Sequence, residues 1–204
     1  MTERRVSAIV LAGGRSSRFG RDKLAEPIDG RALLHHAIDT VRPFAHETVV
    51  VLRPDALPDV PPDVRIARDP APFEGPLVGL LAGLAAATGT RVLVAAGDMP
   101  ELVPAVVELL LAALDDPSTE AALLVQDGRS RPLPMALRRL PARAAAARLV
   151  AAGERRLGAL PAALAATAIN EVVWRALDPD GRTMRDIDTT ADLRWPGEDP
   201  RTAT

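Results

Sequence analysis

The sequence predicts an α/β fold, a Rossmann-like three-layer sandwich with a mainly parallel central sheet and helices on both faces. Short runs rich in Val, Leu and Ile alternate with longer stretches of helical apolar spacing. The short runs are typical of strands buried on both faces, as in parallel sheets. At 204 residues the chain has room for one ordinary domain, and right-handed crossovers then place helices on both sides of the sheet.

The elements alternate regularly along the first 125 residues. The predicted strands are residues 6–11, 48–52, 91–96 and 121–125. The predicted helices between them are residues 32–41, 78–87 and 104–114. Each helix follows a strand and precedes the next one, which is the pattern of consecutive strand–helix–strand units.

The second half of the chain carries weaker signals. After the turn at Asp127-Gly128, residues 134–137 predict another strand, and residues 142–166 predict a helix interrupted near Gly153 and Pro161. Residues 172–176 are predicted as an additional strand. A capping motif that begins at Thr189 predicts a short last helix. We expect one domain over residues 1–195 and a disordered tail over residues 196–204.

The composition excludes several classes of function. A chain without Cys has no disulfides, no thiolate metal site and no Cys nucleophile. A net charge of −2 and an aromatic content of 2% argue against a nucleic-acid partner. The apolar run near the start is too short for a secretory signal, and the longest nearly uncharged stretch, residues 75–89, is too short to span a membrane. We therefore expect a cytoplasmic protein without a membrane partner.

The strongest local signal is the segment after the first predicted strand, residues 11–23, which reads LAGGRSSRFGRDK. Glycines let backbone N–H groups approach an anion, and ligands of open α/β sheets bind beyond the carboxyl ends of strands. Among 25 cationic residues only Lys23 is a lysine, a compact point charge. The spacing matches neither the dinucleotide fingerprint nor the P-loop. The segment is interpreted as a phosphate-binding loop of another kind, with an ordinary glycine turn as the alternative.

Two acidic segments are candidate metal sites. Asp98 follows the strand at residues 91–96, and we expect it at the same sheet edge as the glycine-rich segment. A carboxylate there suits Mg²⁺, which takes one or two carboxylates together with substrate phosphates, but Asp98 could instead cap a helix that begins near Pro100. Asp186 and Asp188 alternate along a predicted short strand, so both carboxylates share one face. A second metal contact and helix capping are both open for this pair.

These residues resemble the nucleotidyltransferases typified by molybdenum cofactor guanylyltransferase. The opening segment matches the signature of that family from Leu11 to Lys23. Weaker motifs follow in the same order over about residues 5–195, at residues 68–70, 74–79, 97–100, 127–134, 153–156 and 186–189. The chain departs from the family near its end. Where members often carry Asn-x-Asn-Thr-Pro, it has Asp186, Asp188 and Thr190.

The resemblance implies Mg²⁺-dependent transfer of GMP from GTP to molybdopterin, with release of pyrophosphate, in molybdenum cofactor biosynthesis. Molybdoenzymes or other cofactor-biosynthesis proteins would be the protein partners. The catalytic residues implied are Lys23, Arg18 and Asp98, and the metal ligands implied are Asp98 and Asp188. The nucleotide-binding residues implied are Leu11, Ala12, Gly13, Gly14, Lys23, Asp69, Gly75, Gly79 and Asp98. Arg155 and Arg156, in a predicted helical stretch, are candidates for holding the acceptor phosphate.

Two alternative functions are weighed against this one. Another nucleotidyltransferase of the same fold, cytidylyl or sugar-phosphate, would differ in substrate, since fold does not determine substrate. The LAGG opening favours the guanylyl branch over the LAAG form of cytidylyl relatives. A noncatalytic adaptor that binds molybdopterin or a nucleotide is the second alternative. Lys23 and Asp98 argue against it, because binding alone does not require a metal carboxylate beside a phosphate loop.

Overall fold

The computed structural model describes residues 5–13, 23–56, 59–70 and 74–187. The strands within these ranges are β1 (Val6–Leu11), β2 (Pro27–Ile28), β3 (Arg31–Ala32), β4 (Glu47–Leu52), β5 (Arg65–Arg68), β6 (Arg91–Ala96), β7 (Ala121–Gln126), β8 (Arg129–Arg138) and β9 (Ala166–Ile169). The α-helices are α1 (Leu33–Val41), α2 (Pro76–Ala86), α3 (Pro104–Ala113), α4 (Arg139–Ala151) and α5 (Glu171–Arg175).

Seven of these strands form one sheet, in the order β5-β4-β1-β6-β8-β7-β9. Its parallel pairs are β1 with β4, β1 with β6, β4 with β5 and β7 with β9. Only β8 is antiparallel to its neighbours in this sheet. Strands β2 and β3 form a separate antiparallel pair. The predicted mainly parallel sheet is confirmed, with one reversed strand that the sequence did not indicate.

The reversal of β8 follows from the turn that precedes it. Asp127 and Gly128 have φ values of 51° and 71°, so both adopt the left-handed conformation that a two-residue hairpin turn of type I′ requires. The hairpin joins β7 to β8 directly, without a helical crossover. The predicted strand at residues 134–137 is therefore the second half of a longer strand.

Alternate residues of β1 separate the two cores of the sandwich. Ile9 belongs to a cluster with Leu80 and Leu84 of α2, and the same cluster includes buried alanines of α4. The next residue, Val10, belongs to a cluster with Leu34 and Ile38 of α1. Helix α3 shares the α1 face, where Val107 joins the same cluster. Because neighbouring side chains of a strand point to opposite faces, the sheet is covered on both sides, and the predicted three layers are confirmed.

The predicted strand at residues 172–176 is wrong, because this segment is the short helix α5. Its β-branched Val172 and Val173 suggested a strand, but they are exposed to solvent, Val172 by 79%. The Asn170 side chain accepts a hydrogen bond from the Val172 N–H at 3.0 Å and so caps the helix. Trp174 is fully buried, and its indole N–H donates to the Val125 carbonyl at 2.7 Å.

The predicted helix at residues 142–166 is too long. Helix α4 ends at Ala151, and Gly153 follows with a φ of 87°, the left-handed conformation that commonly stops a helix. Two short 3₁₀ turns follow within the predicted range, and strand β9 begins only at its last residue, Ala166. No strand forms at residues 185–187, and the predicted cap at Thr189, the end of the domain at residue 195 and the tail at 196–204 lie outside the described residues.

In the described part of the chain, no helix combines the length and the apolar character needed to cross a bilayer. A spanning helix needs about 20 apolar residues. The longest described helix, α4, has 13 residues, several of them arginine.

Candidate functional site

A cavity of about 440 Å³ opens at the carboxyl edge of the parallel strands. Strands β1 and β6 end together there, with Leu11 opposite Ala96. The Gly97 N–H donates to the Leu11 carbonyl at 2.9 Å, so the segments after these two strands start side by side. Most of the residues that the sequence predicts to bind the nucleotide line this cavity. They are Leu11, Ala12, Gly13, Lys23, Asp69, Gly75, Gly79 and Asp98.

Three predicted site residues, Gly14, Arg18 and Asp188, lie outside the described residues, and their roles stay predictions. The cavity also has lining residues that the sequence did not single out as ligands. They are mostly apolar or small: Leu24, Val51, Pro76, Ala96, Gly97 and Leu133. Leu24, Pro76, Ala96 and Gly97 lie within two positions of predicted nucleotide-binding residues, which is their one sequence signal. Val51 comes from β4 and Leu133 from the reversed strand β8.

Lys23 and Asp98 meet at the β6 side of the cavity. Lys23 Nζ lies 2.9 Å from Asp98 Oδ2, although the two residues are 75 positions apart in the chain. Lys23 is buried, and a buried ammonium requires a negative partner. The pair therefore places the chain's single lysine and a carboxylate at one point of the cavity wall.

Asp98 does not serve as the helix cap that was its alternative role. Helix α3 begins at Pro104 with Val103 at its N-cap position, and the residues between β6 and α3 form turns. The Asp98 side chain is 27% exposed and points its charge toward Lys23 at the cavity. Its position leaves it able to bind a cation that arrives with a phosphate ligand.

Asp69 lies at the opposite side of the cavity, pressed between two glycines. Its N–H donates to the Leu52 carbonyl at 2.9 Å, which extends the pairing of β4 and β5 by one residue. A Cβ atom at Gly79 would lie 2.8 Å from Asp69 Oδ1, and one at Gly13 would lie 2.9 Å from Asp69 Oδ2. Both positions therefore need glycine to admit the carboxylate.

The Asp69 carboxylate is incompletely hydrogen bonded within the described chain and has a raised pKa. Its Oδ1 atom is buried and has no hydrogen-bond partner among the described residues. Burial and the nearby negative charge of Glu74 raise the pKa of Asp69 above its ordinary value. A buried acceptor without a donor costs free energy, which a ligand N–H or O–H would recover.

The start of α2 forms part of the cavity wall, through Gly75, Pro76 and Gly79. Gly75 has a φ of 99°, and a Cβ atom there would lie 2.8 Å from the Arg155 carbonyl oxygen. That carbonyl accepts a hydrogen bond from the Leu77 N–H at 3.2 Å. Arg155 thus supports the start of α2 through its backbone, and Gly79, one turn further, faces Asp69.

The predicted helical position of Arg155 and Arg156 is wrong, because both follow the end of α4 in an irregular segment. The Arg155 guanidinium donates to the Val150 and Glu154 carbonyls. Arg156 is largely exposed and pairs with Glu154 at 2.8 Å. Their predicted contact with an acceptor phosphate stays a prediction.

The carboxylate at this cavity fits Mg²⁺ held jointly by the protein and by substrate phosphates better than a metal ion held by protein side chains alone. No group of three or more His, Asp or Glu side chains with metal-binding geometry occurs within residues 5–13, 23–56, 59–70 and 74–187. Asp98 offers one carboxylate at the cavity. Mg²⁺ is commonly bound by one or two carboxylates plus substrate phosphates and water, which this arrangement suits.

Comparison with known proteins points to one family. The family model described as the MobA-like NTP transferase domain matches residues 8–168. A probable molybdenum cofactor guanylyltransferase from Chloroflexus aggregans is 38% identical over 198 residues, which cover 93% of this chain and 92% of that protein.

Solved structures share the fold. Molybdopterin-guanine dinucleotide biosynthesis protein A from Archaeoglobus fulgidus matches with a TM-score of 0.74 and 23% identity, covering 92% of this chain and 94% of that one. The 4-diphosphocytidyl-2C-methyl-D-erythritol synthase from Anaerococcus prevotii matches with a TM-score of 0.69 and 16% identity, covering 93% and 95%. The same architecture therefore occurs in proteins with different names.

Proposed function

Because the chain belongs to the MobA-like NTP transferase family, we propose that it transfers GMP from GTP to molybdopterin, releasing pyrophosphate, in molybdenum cofactor biosynthesis. The observation that carries this proposal is the meeting of Lys23 and Asp98, 2.9 Å apart, in the cavity where β1 and β6 end. A cation and a potential metal ligand together suit the phosphates of a nucleotide.

The lining of the cavity extends from Asp69 after β5 to Asp98 after β6. Asp69 follows β5 and Asp98 follows β6, and the order β5-β4-β1-β6 separates these strands by three steps. With neighbouring strands about 4.8 Å apart, the backbones at the ends of β5 and β6 are about 14 Å apart across the sheet. We assign the base to the Asp69 side and the phosphates to the side of Lys23 and Asp98.

Asp69 suits guanine because its carboxylate accepts hydrogen bonds and cannot donate them when ionised. Guanine presents N–H donors at N1 and at its exocyclic amine, next to each other on one edge. Adenine and cytosine each place an acceptor at the ring nitrogen of that edge. A buried carboxylate facing such an acceptor would stay unsatisfied, and sites that lose a buried hydrogen bond reject the wrong substrate strongly.

The reaction balances as a single displacement at phosphorus. A phosphate oxygen of molybdopterin forms a bond to the α-phosphorus of GTP, and the bond from that phosphorus to the oxygen bridging to the β-phosphorus breaks. Pyrophosphate leaves with the electron pair. The attacking phosphate is ionised at neutral pH, so the chain need not supply a general base.

Lys23 contributes to the reaction by binding and orienting the phosphates. Its ammonium donates hydrogen bonds to phosphate oxygens, which brings two polyanions together and stabilises the charge that develops on the leaving group. Asp98 would hold Mg²⁺ on the same side, and Mg²⁺ when bound neutralises and orients phosphate oxygens. The backbone of Leu11, Ala12 and Gly13 would contact the base. Arg18 would add a second cation.

The cellular setting is part of the proposal. GTP is a cytoplasmic nucleotide, so we place the reaction in the cytoplasm, and the molybdoenzymes that use the product would be the protein partners. A net charge of −2 supports neither a nucleic-acid partner nor attraction to an anionic membrane.

The decisive experiment incubates the protein and Mg²⁺ with each of the four nucleoside triphosphates, with and without molybdopterin, and measures pyrophosphate. We expect release with GTP only, and only when molybdopterin is present. Release with CTP would instead identify a cytidylyltransferase. Binding of molybdopterin or nucleotide without release would identify an adaptor.

A further inference from the structure

We propose that Glu101 is a positioning residue for Asp98, acting through Arg182 and Arg185. The three side chains join the turn after β6 to the segment at residues 182–187, and this junction holds the Asp98 carboxylate at the cavity. The inference rests on the proposed function, in which Asp98 contacts a metal ion bound to the nucleotide. Glu101 itself does not line the cavity.

Glu101 is a buried carboxylate with a cation on each oxygen. Its side chain is only 4% exposed. Oε1 accepts from Arg182 Nε at 3.1 Å, and Oε2 accepts from Arg185 Nη1 at 2.9 Å. Burial of a charge is costly unless it is paired on all sides, so the carboxylate strongly favours the arrangement in which both arginines are in place.

Residues 182–187 reach the turn after β6 at two further points. The Thr183 hydroxyl accepts a hydrogen bond from the Val103 N–H at 3.1 Å. At the other end of the segment, the Ile187 N–H donates to the Asp98 carbonyl at 3.0 Å. The segment therefore contacts the turn near its start, at Asp98, and at its last residue, Val103, with Glu101 between them.

The segment is itself a well-anchored element. Asp178 is buried and accepts from the Arg182 and Thr183 backbone N–H groups at 2.9 and 2.7 Å. Ile187 is buried in a small apolar cluster with Ile28 and Leu33. An element held in this way can transmit its position to the Asp98 backbone.

The turn after β6 is irregular, although Met99 and Leu102 are buried in the core on the α1 face. Strand β6 ends at Ala96 and α3 begins at Pro104, so residues 97–103 lie in neither element. Within the turn, the Met99 N–H bonds the Ala96 carbonyl at 3.2 Å. Besides this burial, the turn is held by contacts to residues more than 80 positions away in sequence, and these contacts lie on either side of Asp98 and Glu101.

Residues that orient a metal ligand without touching the metal commonly change metal affinity about 10- to 100-fold when substituted. We therefore expect Glu101→Gln to weaken binding of Mn²⁺, used in place of Mg²⁺, by about 10-fold. Arg185→Gln removes one of the two ion pairs and should weaken it less. Glu47→Gln is the control, because Glu47 is a partly buried carboxylate with several hydrogen bonds but lies at the opposite edge of the sheet.

The test uses the ¹⁵N-labelled full chain and follows broadening of the Asp98 amide signal as Mn²⁺ is added with a GTP analogue that cannot be cleaved. We expect the midpoint to rise in Glu101→Gln and to stay unchanged in Glu47→Gln, even though both variants unfold at lower temperature. Equal midpoints in wild type and Glu101→Gln overturn the positioning role. Absence of broadening at Asp98 in the wild type also overturns it, whether or not the protein releases pyrophosphate from GTP.

The proposed function has its own readout in the same proteins. With the wild type active, Glu101→Gln should require about 10-fold more Mg²⁺ for half-maximal pyrophosphate release and recover much of the rate at saturating Mg²⁺. A purely structural role would lower the amount of folded enzyme without moving that midpoint. Wild-type inactivity with every nucleotide contradicts the proposed function alone.

Discussion

Two partly buried carboxylates at opposite edges of the central sheet, Glu47 and Asp69, differ in how completely their oxygens are hydrogen bonded. At the amino edge, Glu47 Oε1 accepts from the Ser7 hydroxyl at 2.6 Å, the Thr88 N–H at 2.6 Å and the Thr88 hydroxyl at 2.7 Å. Its Oε2 pairs with Arg65 at 3.2 Å. At the carboxyl edge, Asp69 keeps a buried oxygen that no described residue satisfies.

The pKa values of Glu47 and Asp69 are shifted in opposite directions. Burial alone would raise the pKa of Glu47, but the hydrogen bonds from Ser7 and Thr88 and the charge of Arg65 lower it to about 2. Burial and Glu74 raise the pKa of Asp69. A carboxylate whose bonds are complete contributes to stability, whereas one left incomplete keeps free energy available for a ligand. Glu47 therefore stabilises the fold, whereas Asp69 is the proposed partner of the nucleotide base.

The largest loss of activity is expected for Lys23→Ala. Loss of the ammonium should lower GTP-dependent pyrophosphate release by about 10²- to 10³-fold, as for single preorganised donors in other enzymes. The melting temperature should change little, because Asp98 is exposed enough to be solvated. Arg65→Ala removes a cation from the amino edge and should leave turnover unchanged. A rate for Lys23→Ala near that of the wild type would remove Lys23 from the phosphate site.

A smaller loss is expected for Gly79→Ala. The added methyl group would lie 2.8 Å from Asp69 Oδ1 and must displace the carboxylate or α2. Displacement by about 1 Å can cost about 10²-fold in rate, so we expect kcat/KM for GTP to fall by about that factor. Gly158→Ala is the control, since nothing lies within 4 Å of a Cβ there. If both variants bind and use GTP equally well, the close contact of Asp69 with α2 has no part in nucleotide binding.

Asp69→Asn tests the selection of the base. An amide can turn a donor toward the ligand, so the preference for GTP over CTP should fall. Loss of a hydrogen bond to a charged group costs about 1.5–3 kcal/mol, which corresponds to about 10- to 100-fold in relative kcat/KM. Competition between the two nucleotides measures that ratio. An unchanged ratio would assign base selection to the backbone of residues 11–13 instead.

The smallest effect on activity is expected for Glu47→Gln, which should reduce stability and spare catalysis. Because the folded-state pKa of Glu47 is lowered from 4.5 to about 2, its stabilising contribution is complete above about pH 4.5 and is lost as the pH falls toward 2. Urea unfolding should show the variant less stable at pH 7, by about 1–3 kcal/mol, and the gap should narrow below pH 4.5. A gap that is constant from pH 7 to pH 3 would contradict this role for Glu47.

The four predicted parallel strands all form, because their apolar runs are buried on both faces and leave little choice of conformation. Sequence reasoning failed where tertiary contacts override local preference. Val172 and Val173 favour a strand, but the Asn170 cap and the burial of Trp174 favour a helix. Strand β9 was not predicted, because it is short and its residues Ala166 to Ala168 are exposed at the edge of the sheet, so no apolar run marks it.

The site was more predictable than the elements around it. Glycines, a lone lysine and carboxylates just after strands are local signals, and the rule for strand ends places them at one edge. Glu101 carries no such signal. Its role depends on Arg182 and Arg185, which lie 81 and 84 positions away, and on burial, which no single position in the sequence reveals.

By itself, the amino-acid sequence determined the family, the layers of the fold and the residues that meet at the cavity, because apolar periodicity and a glycine-rich motif act over short distances along the chain. The tertiary structure alone decided which carboxylates are satisfied. Asp69 lacks a partner for one oxygen within the described chain, while Glu47 and Glu101 are fully paired. Hydrogen-bond satisfaction depends on groups that only folding brings within 3 Å, so it is a property of the packed molecule.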